Sequence, residues 1–417
     1  MSQTPRDPAP DPHHVVIAGG GIAALELVLA LHDLAPGRVR VTLVSPSPTF
    51  SLRPLSVMVP FGRGVAPTAS LQDVLSAHGG VLRQDTVEAV DAARHVVRCG
   101  GGDELAYDTL VLATGARTAP AFDRALTFDP FDADALSGVV ADLEQGYSRS
   151  VAFVVPAGVT WPLPLYELAL MTAERVANAS PEGVGLHVVT PEARPLAVFG
   201  HEASDAVAEL LRAAGITFHG SVSPDVPRAG HVELGIEGEL VVDSIVALSR
   251  MRGPGVAGLP VDDEGFVAVD AEGHVPGLPD VWAVGDATQQ PIKQGGLACQ
   301  QADAVAVRLA AALGADVTVE PPLLELRGRL LAGREDRFLR RPVGTASSES
   351  DAHPLWWPPA KVASRYLAPY LEGLGVVAPA PREPAPETRP VAVHVPIDWA
   401  HAHRNDVLGL SSLDPLD

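Results

Sequence analysis

Apolar residues fall into short unbroken runs, each closed by glycine and followed by a stretch patterned for a helix. Val15 to Ala18 is one such run, stopped by Gly19-Gly20-Gly21, and from Ile22 the apolar positions predict a helix to about Ala35. Arg38 to Val44 predicts the next strand. Runs without polar alternation indicate strands covered on both faces, as in parallel sheets. Between Asp85 and Gly115 the pattern predicts short strands, with a hairpin at Gly100 to Asp103 and a last strand from Tyr107 that breaks at Gly115. Pro120 to Asp142 reads as a linker. A second series then opens. It has a strand at Val151 to Val155, a helix at Leu165 to Ala177, a strand at Gly185 to Thr190, a helix at Ala203 to Ala214 and a strand at Ile216 to His219. The chain returns through Val241 to Leu248 to a second glycine-stopped run, Leu278-Pro-Asp-Val-Trp-Ala-Val-Gly285-Asp286, and a helix from about Gly296 to Ala312. Leu323 to Arg341 predicts strands, Lys361 to Leu374 a helix, and Ala378 to Pro390 an extended proline-rich segment.

Repeated strand–helix–strand units imply an α/β protein with two Rossmann-like dinucleotide-binding domains. The two glycine turns lie more than two hundred residues apart, so the second domain is expected as an insertion in the first. Expected boundaries are a disordered leader at 1–13, the first part of one domain at 14–120 and the inserted domain at 121–246. The remainder of the first domain follows at 247–315, then a C-terminal α+β region at 316–377 and a linker and tail at 378–417.

The chain has 417 residues, 47% of them apolar, with 51 acidic against 30 basic residues and a formal net charge of −21. That surface argues against a nucleic-acid or anionic-membrane partner. No apolar run is long enough to span a bilayer and no signal peptide is evident, so a soluble, cytoplasmic protein is expected. Cys99 and Cys299 are expected as free buried thiols, and no metal-ligand spacing is present. Only Lys293 and Lys361 are lysine, which draws attention to Lys293 because it follows the second glycine turn.

In the first turn, Gly19 permits the tight bend, Gly21 lets the backbone approach a pyrophosphate, and Ala24 packs helix on strand. The helix N-terminus offers free N–H groups and partial positive charge to phosphates. Ser45 stands where an acidic residue would take ribose hydroxyls; it either bonds a ribose hydroxyl or starts a turn. Taken in order, the Gly19 motif, Thr114-Gly115, Val284-Gly285-Asp286 and Lys293-Gln294-Gly295-Gly296 resemble the FAD-dependent pyridine nucleotide-disulfide oxidoreductase superfamily. The resemblance spans residues 14 to 312 and is nearest the branch of sulfide:quinone oxidoreductases and type II NADH dehydrogenases. It implies a bound FAD, with Asp286 on the ribityl and pyrophosphate region and the following helix aimed at the flavin pyrimidine. A helix starting at Gly295 or Gly296, and a charge at Lys293, suit the negative charge of a reduced flavin. Arg53 either reaches the cofactor or is a surface arginine.

The second domain's turn departs from the pattern. Val155-Pro-Ala-Gly158-Val-Thr-Trp161-Pro-Leu-Pro-Leu-Tyr-Glu167 keeps one glycine, and Pro156, Pro162 and Pro164 lack N–H donors, which argues against NAD(P)H binding. Matched to sulfide:quinone oxidoreductases, Trp161 stands where a reactive cysteine is expected, which disfavours sulfide oxidation. The resemblance places Glu167 close to the flavin and the acceptor. A carboxyl beside Trp161 and Tyr166 would have a raised proton affinity suited to proton transfer; alternatively it caps its helix. The expected function is an FAD-dependent oxidoreductase between a reduced small-molecule donor and a small acceptor such as a quinone. An NAD(P)H dehydrogenase and a non-catalytic flavin-binding sensor are the alternatives. Trp356-Trp357 read as a packed cap or a pocket wall, and His401-Ala-His403 only superficially as a metal spacing.

Overall fold

The computed structural model describes residues 11–179 and 183–379. Its centre is a six-stranded sheet in the order His274–Val275, Leu278–Ala283, Thr109–Leu112, His13–Ala18, Val39–Ser45, Val81–Gln84. All neighbours are parallel except the edge pair at His274–Val275. Val15 to Ala18 and Leu110 to Leu112 are fully buried, so their unbroken apolar runs reflect helices and strands packed on both faces. Helix Ile22–Leu34 covers one face beside helix Gly295–Ala312.

The chain leaves this sheet through Arg117–Ala119 and returns through Arg250–Arg252, two strands paired antiparallel. Between them lies an all-parallel five-stranded sheet in the order Leu126–Phe128, Ser244–Leu248, Ser150–Val154, Gly185–Val189, Ile216–His219. Helices Leu163–Ala179 and His201–Ala213 pack on it. The fold is therefore α/β, with one Rossmann-like unit inserted in another as the repeat predicted. A C-terminal antiparallel sheet follows, Glu325–Leu330, Arg337–Pro342 and Glu349–Asp351, with helix Leu367–Gly373. Gly328 in this sheet admits the Phe199 and Leu163 side chains; a Cβ there would lie 2.4 Å from Phe199 Cζ. The C-terminal sheet thus seats on the inserted unit at the start of helix Leu163–Ala179.

Three expectations are corrected. Pro120 to Asp142 is no linker: it contains strand Leu126–Phe128 and the start of helix Ala135–Glu144, because Phe128, Leu136, Val140 and Leu143 are buried in the second unit's core. Lys361 to Leu374 is helical only from Leu367, because the N–H groups of Arg365, Tyr366 and Leu367 bond to the Glu26 carboxylate instead of to helix carbonyls. The leader is shorter than expected, since His13 already pairs in the first strand. Residues 1–10 and the tail from 380, including His401 and His403, lie outside the described residues. Both cysteines are free and buried, as expected.

Candidate functional site

The two glycine turns meet. Gly19 has φ +114°, and a Cβ there would stand 2.2 Å from the Ala113 carbonyl oxygen, so any other residue is strained and overlaps the neighbouring strand. Gly21 precedes the helix with no side-chain cap, and a Cβ on it would meet nothing within 4 Å. Its backbone therefore faces open space, with the first N–H groups of the helix behind it. In the second turn, a Cβ on Gly285 would lie 3.4 Å from Ala23 Cβ and 3.1 Å from Ala298 Cβ. Small residues at 23, 285 and 298 let the two helix starts converge on one cavity of about 500 Å³.

Its charge is opposite to that of the chain. Arg53, Arg117, Lys293, Arg327, Arg329 and Lys361 line it, against Asp85, Glu167 and Asp286. Three polar atoms on its wall are buried without a hydrogen-bond partner: Thr114 Oγ1, Ser56 Oγ and Glu167 Oε2. Buried polar groups are ordinarily paired. Two helix N-termini, a surplus of cations and three orphaned polar atoms together fit a long, polar, anionic ligand such as a dinucleotide.

Of the residues singled out in the sequence, Gly19, Gly21, Ser45, Arg53, Thr114, Gly115, Trp161, Glu167, Gly285, Asp286, Lys293, Gln294 and Gly295 line this cavity. Ala24 and Gly296 are buried beneath it. Ser45 Oγ donates to the Ser47 carbonyl at 3.0 Å, the turn-starting alternative. Gln294 caps its helix, accepting from Leu297 N–H at 2.6 Å and donating to the Arg327 carbonyl at 3.1 Å. Lys293 Nζ lies 3.5 Å over the Phe266 ring and donates to the Thr288 carbonyl. The Arg53 guanidinium stacks 3.8 Å from the Phe131 ring centroid. Burial lowers its pKa, opposed by Asp129 and Asp286. Burial raises that of Asp286, opposed by Lys293 and Arg53.

Glu167 sits at one end. Its Oε1 accepts from Leu331 N–H at 2.8 Å and from Lys361 Nζ, which also donates to the Arg329 carbonyl at 2.7 Å. Burial pushes the Glu167 carboxyl up to about 7, with Lys361 holding it back, and burial lowers the Lys361 amine. The expected neighbour Tyr166 is elsewhere: its hydroxyl donates to Glu192 at 2.6 Å, because successive helix residues point about 100° apart. Trp161 packs against Phe199, with ring centroids 5.5 Å apart. Lys361 was missed as a site residue; its rarity was the available signal, since the chain's only two lysines both line this cavity.

Residues 13–302 match the family described as pyridine nucleotide-disulphide oxidoreductase. The chain belongs to that family. It is an oxidoreductase of a flavin-dependent family. An NADH dehydrogenase-like protein of Mycobacterium tuberculosis is 30% identical over 293 residues, covering 65% of this chain and 72% of that one. Among solved structures, the sulfide:quinone oxidoreductase of Aquifex aeolicus superposes with TM-score 0.73 at 21% identity, covering 82% of this chain and 87% of the other. A ferredoxin reductase from Rhodopseudomonas palustris gives 0.60 at 21% identity, covering 79% and 82%. Both structures share the fold.

This oxidoreductase has a second cavity, of about 740 Å³, between its two Rossmann-like units. It lies where the turn at Gly158 to Trp161 faces Gln289 to Lys293, and Thr160 Oγ1 bridges the gap to the Pro291 carbonyl. Trp161, Pro164 and Lys293 line both cavities. A further feature had no sequence signal. Glu26, fully buried in the first helix, receives the N–H groups of Arg365, Tyr366 and Leu367 at 2.8, 2.9 and 2.7 Å. Burial and then the neighbouring Glu26 push the Asp303 carboxyl up to about 8. Glu26 thus anchors the segment that carries Lys361. Cys299 is fully buried, its thiol raised well above the usual range by burial, which leaves it unreactive. Trp356 packs edge-on against Phe338 at 5.1 Å, a packed cap.

Proposed function

We propose that this chain binds FAD across the two glycine turns. It would pass electrons through that cofactor from a reduced donor to a small acceptor, a quinone. The observation that carries the reading is the convergence of both turns on one cationic cavity in an acidic chain. The residues that would hold the cofactor are Gly19 and Gly21 with the N–H groups behind them at the diphosphate, Asp286 at the ribityl chain, and Gly295 with Lys293 at the pyrimidine edge. Arg53 would cover the ring. FAD would supply reversible two-electron chemistry.

Glu167 and Lys361 would manage the proton. A carboxyl held to about 7, with one oxygen unpartnered and the other on an ammonium, can give a proton to an acceptor oxygen at neutral pH and regain it from Lys361. Trp161 and the apolar wall would exclude water from the ring. Among the described residues no helix is long and apolar enough to cross a membrane; we place the protein in the cytoplasm. The test is direct. Purified protein, or protein reconstituted with FAD, should show flavin absorbance that bleaches with a chemical reductant and recovers on adding a soluble quinone; absence of flavin uptake would end the proposal. Anaerobic mixing with NADH and NADPH separates the dehydrogenase alternative, which predicts rapid bleaching.

A further inference from the structure

We infer that the cavity of about 740 Å³ takes a compact aromatic anion rather than a dinucleotide, the inserted unit having given up the adenosine half of its ligand. This rests on the flavoprotein reading for what lies across Trp161. The inserted unit keeps the strand–turn–helix topology, in which a pyrophosphate needs free N–H groups at the turn and the ribose needs an acid past the second strand. Pro156, Pro162 and Pro164 supply no N–H. At the helix start, Leu165 N–H is spent on the Pro162 carbonyl at 2.9 Å, and in the turn Val159 N–H is spent on the Pro156 carbonyl at 3.2 Å, which leaves the N–H groups of Ala157, Gly158, Thr160 and Trp161 to the turn itself rather than to the helix N-terminus.

The acid is present but turned inward. Glu192, just past strand Gly185–Val189, accepts from Tyr166 Oη at 2.6 Å and Thr190 Oγ1 at 3.2 Å on Oε2, and from Ala197 N–H at 3.0 Å on Oε1. Tyr166 is fully buried, so both carboxylate oxygens are committed to the interior of their own domain. A ribose offered there would meet no free acceptor.

The space that remains is next to Trp161. Its walls are Trp161, Met251 and Phe266, and no lining residue comes from the segment between Gly185 and Val222 where an adenosine would lie. The cavity's acids are each engaged by neighbouring groups, the two aspartates through one oxygen. Asp262 accepts from Glu264 N–H and Phe266 N–H at 3.0 and 2.9 Å, Asp270 from Glu272 N–H and His274 N–H at 2.9 and 3.0 Å, and Glu264 faces Arg252 at 3.9 Å. Arg250 lines the same cavity and has no carboxylate partner among the described residues. Apolar walls with the Arg250 guanidinium beside them favour a planar ring bearing an anionic group.

Calorimetric titration of the flavin-loaded protein tests this with four probes: naphthoquinone sulfonate, nicotinamide mononucleotide, NAD+ and ADP-ribose. The sulfonate should bind, and Arg250→Ser should weaken it on the order of tenfold. That variant should keep the flavin content of the parent, read from its visible spectrum. NAD+ should bind no tighter than the mononucleotide within about threefold, and ADP-ribose should not bind. The inference is overturned if ADP-ribose binds, if NAD+ exceeds the mononucleotide by more than about tenfold, or if the sulfonate fails to bind or ignores Arg250→Ser. A chain that takes up no FAD sinks the flavoprotein reading instead, a result visible before any titration.

Discussion

The turn at Gly19 to Gly21 and the turn at Pro156 to Leu163 occupy similar places, each between a buried central strand and the helix that follows it. The first leaves its helix uncapped and its Gly21 facing open space. The second carries prolines at 156, 162 and 164, and its domain turns Glu192, just past strand Gly185–Val189, inward onto Tyr166. Both sheets are equally well buried, with Val15 to Ala18 and Val151 to Val154 fully enclosed. Apolar strands therefore hold the two architectures alike, while the polar groups at the two turns differ without disturbing either core.

The sharpest way to break that contrast is Gly21→Asp. A side chain fits there without collision, so the fold should survive, but a carboxylate would meet the cofactor's diphosphate. We predict loss of FAD affinity by about 10³-fold or more, with the unfolding midpoint of the FAD-free protein unchanged. Retained FAD would show that this turn does not hold the diphosphate. Glu26→Ala leaves three N–H groups of Arg365 to Leu367 buried without acceptors, and should cost roughly 2–4 kcal/mol in denaturant unfolding. Glu167→Gln should leave flavin content intact, lower turnover with a quinone on the order of 10²-fold, and remove the ionisation near neutrality from the pH profile. An unchanged profile would assign the proton to another group.

Stability should also depend on pH in a definite direction. Burial raises Glu167 and Glu192 to about 7 and Asp303 to about 8. These folded carboxyls keep protons that the unfolded chain has released above its ordinary values of 3.8 and 4.5. The stabilisation is complete below the unfolded values and is lost as pH rises through the folded ones, so the melting temperature should fall between about pH 5 and about pH 8. A flat or rising curve would mean those carboxyls are ionised in the folded protein. The smallest effect is expected in the second turn: Gly158→Ala, at φ +86° with open space around it, should cost about 1 kcal/mol and leave FAD content unaltered.

Much of this was legible in the chain. Val15 to Ala18, Val151 to Val155 and Leu278 to Ala283 announced themselves as apolar runs stopped at turns, and helix Gly295–Ala312 began within one residue of expectation. The short strand Leu126–Phe128 did not, since three residues carry no period and Asp129, Asp132 and Asp134 mask the apolar face of the helix that follows. Arg53 was legible only as an arginine near a turn; its stack on Phe131 joins residues from the two units.

Sequence alone determined the two nested sheets, the glycine turns and the proline-rich second turn, because strand burial, chain reversal and proline placement are local properties read within a few residues. Tertiary structure decided which distant groups share a wall. Glu167 meets Lys361 across 194 positions, and Glu26 holds Leu367 across 341. Such pairs leave no local trace, since burial and proximity, which set a carboxyl's proton affinity, exist only once the chain has closed on itself.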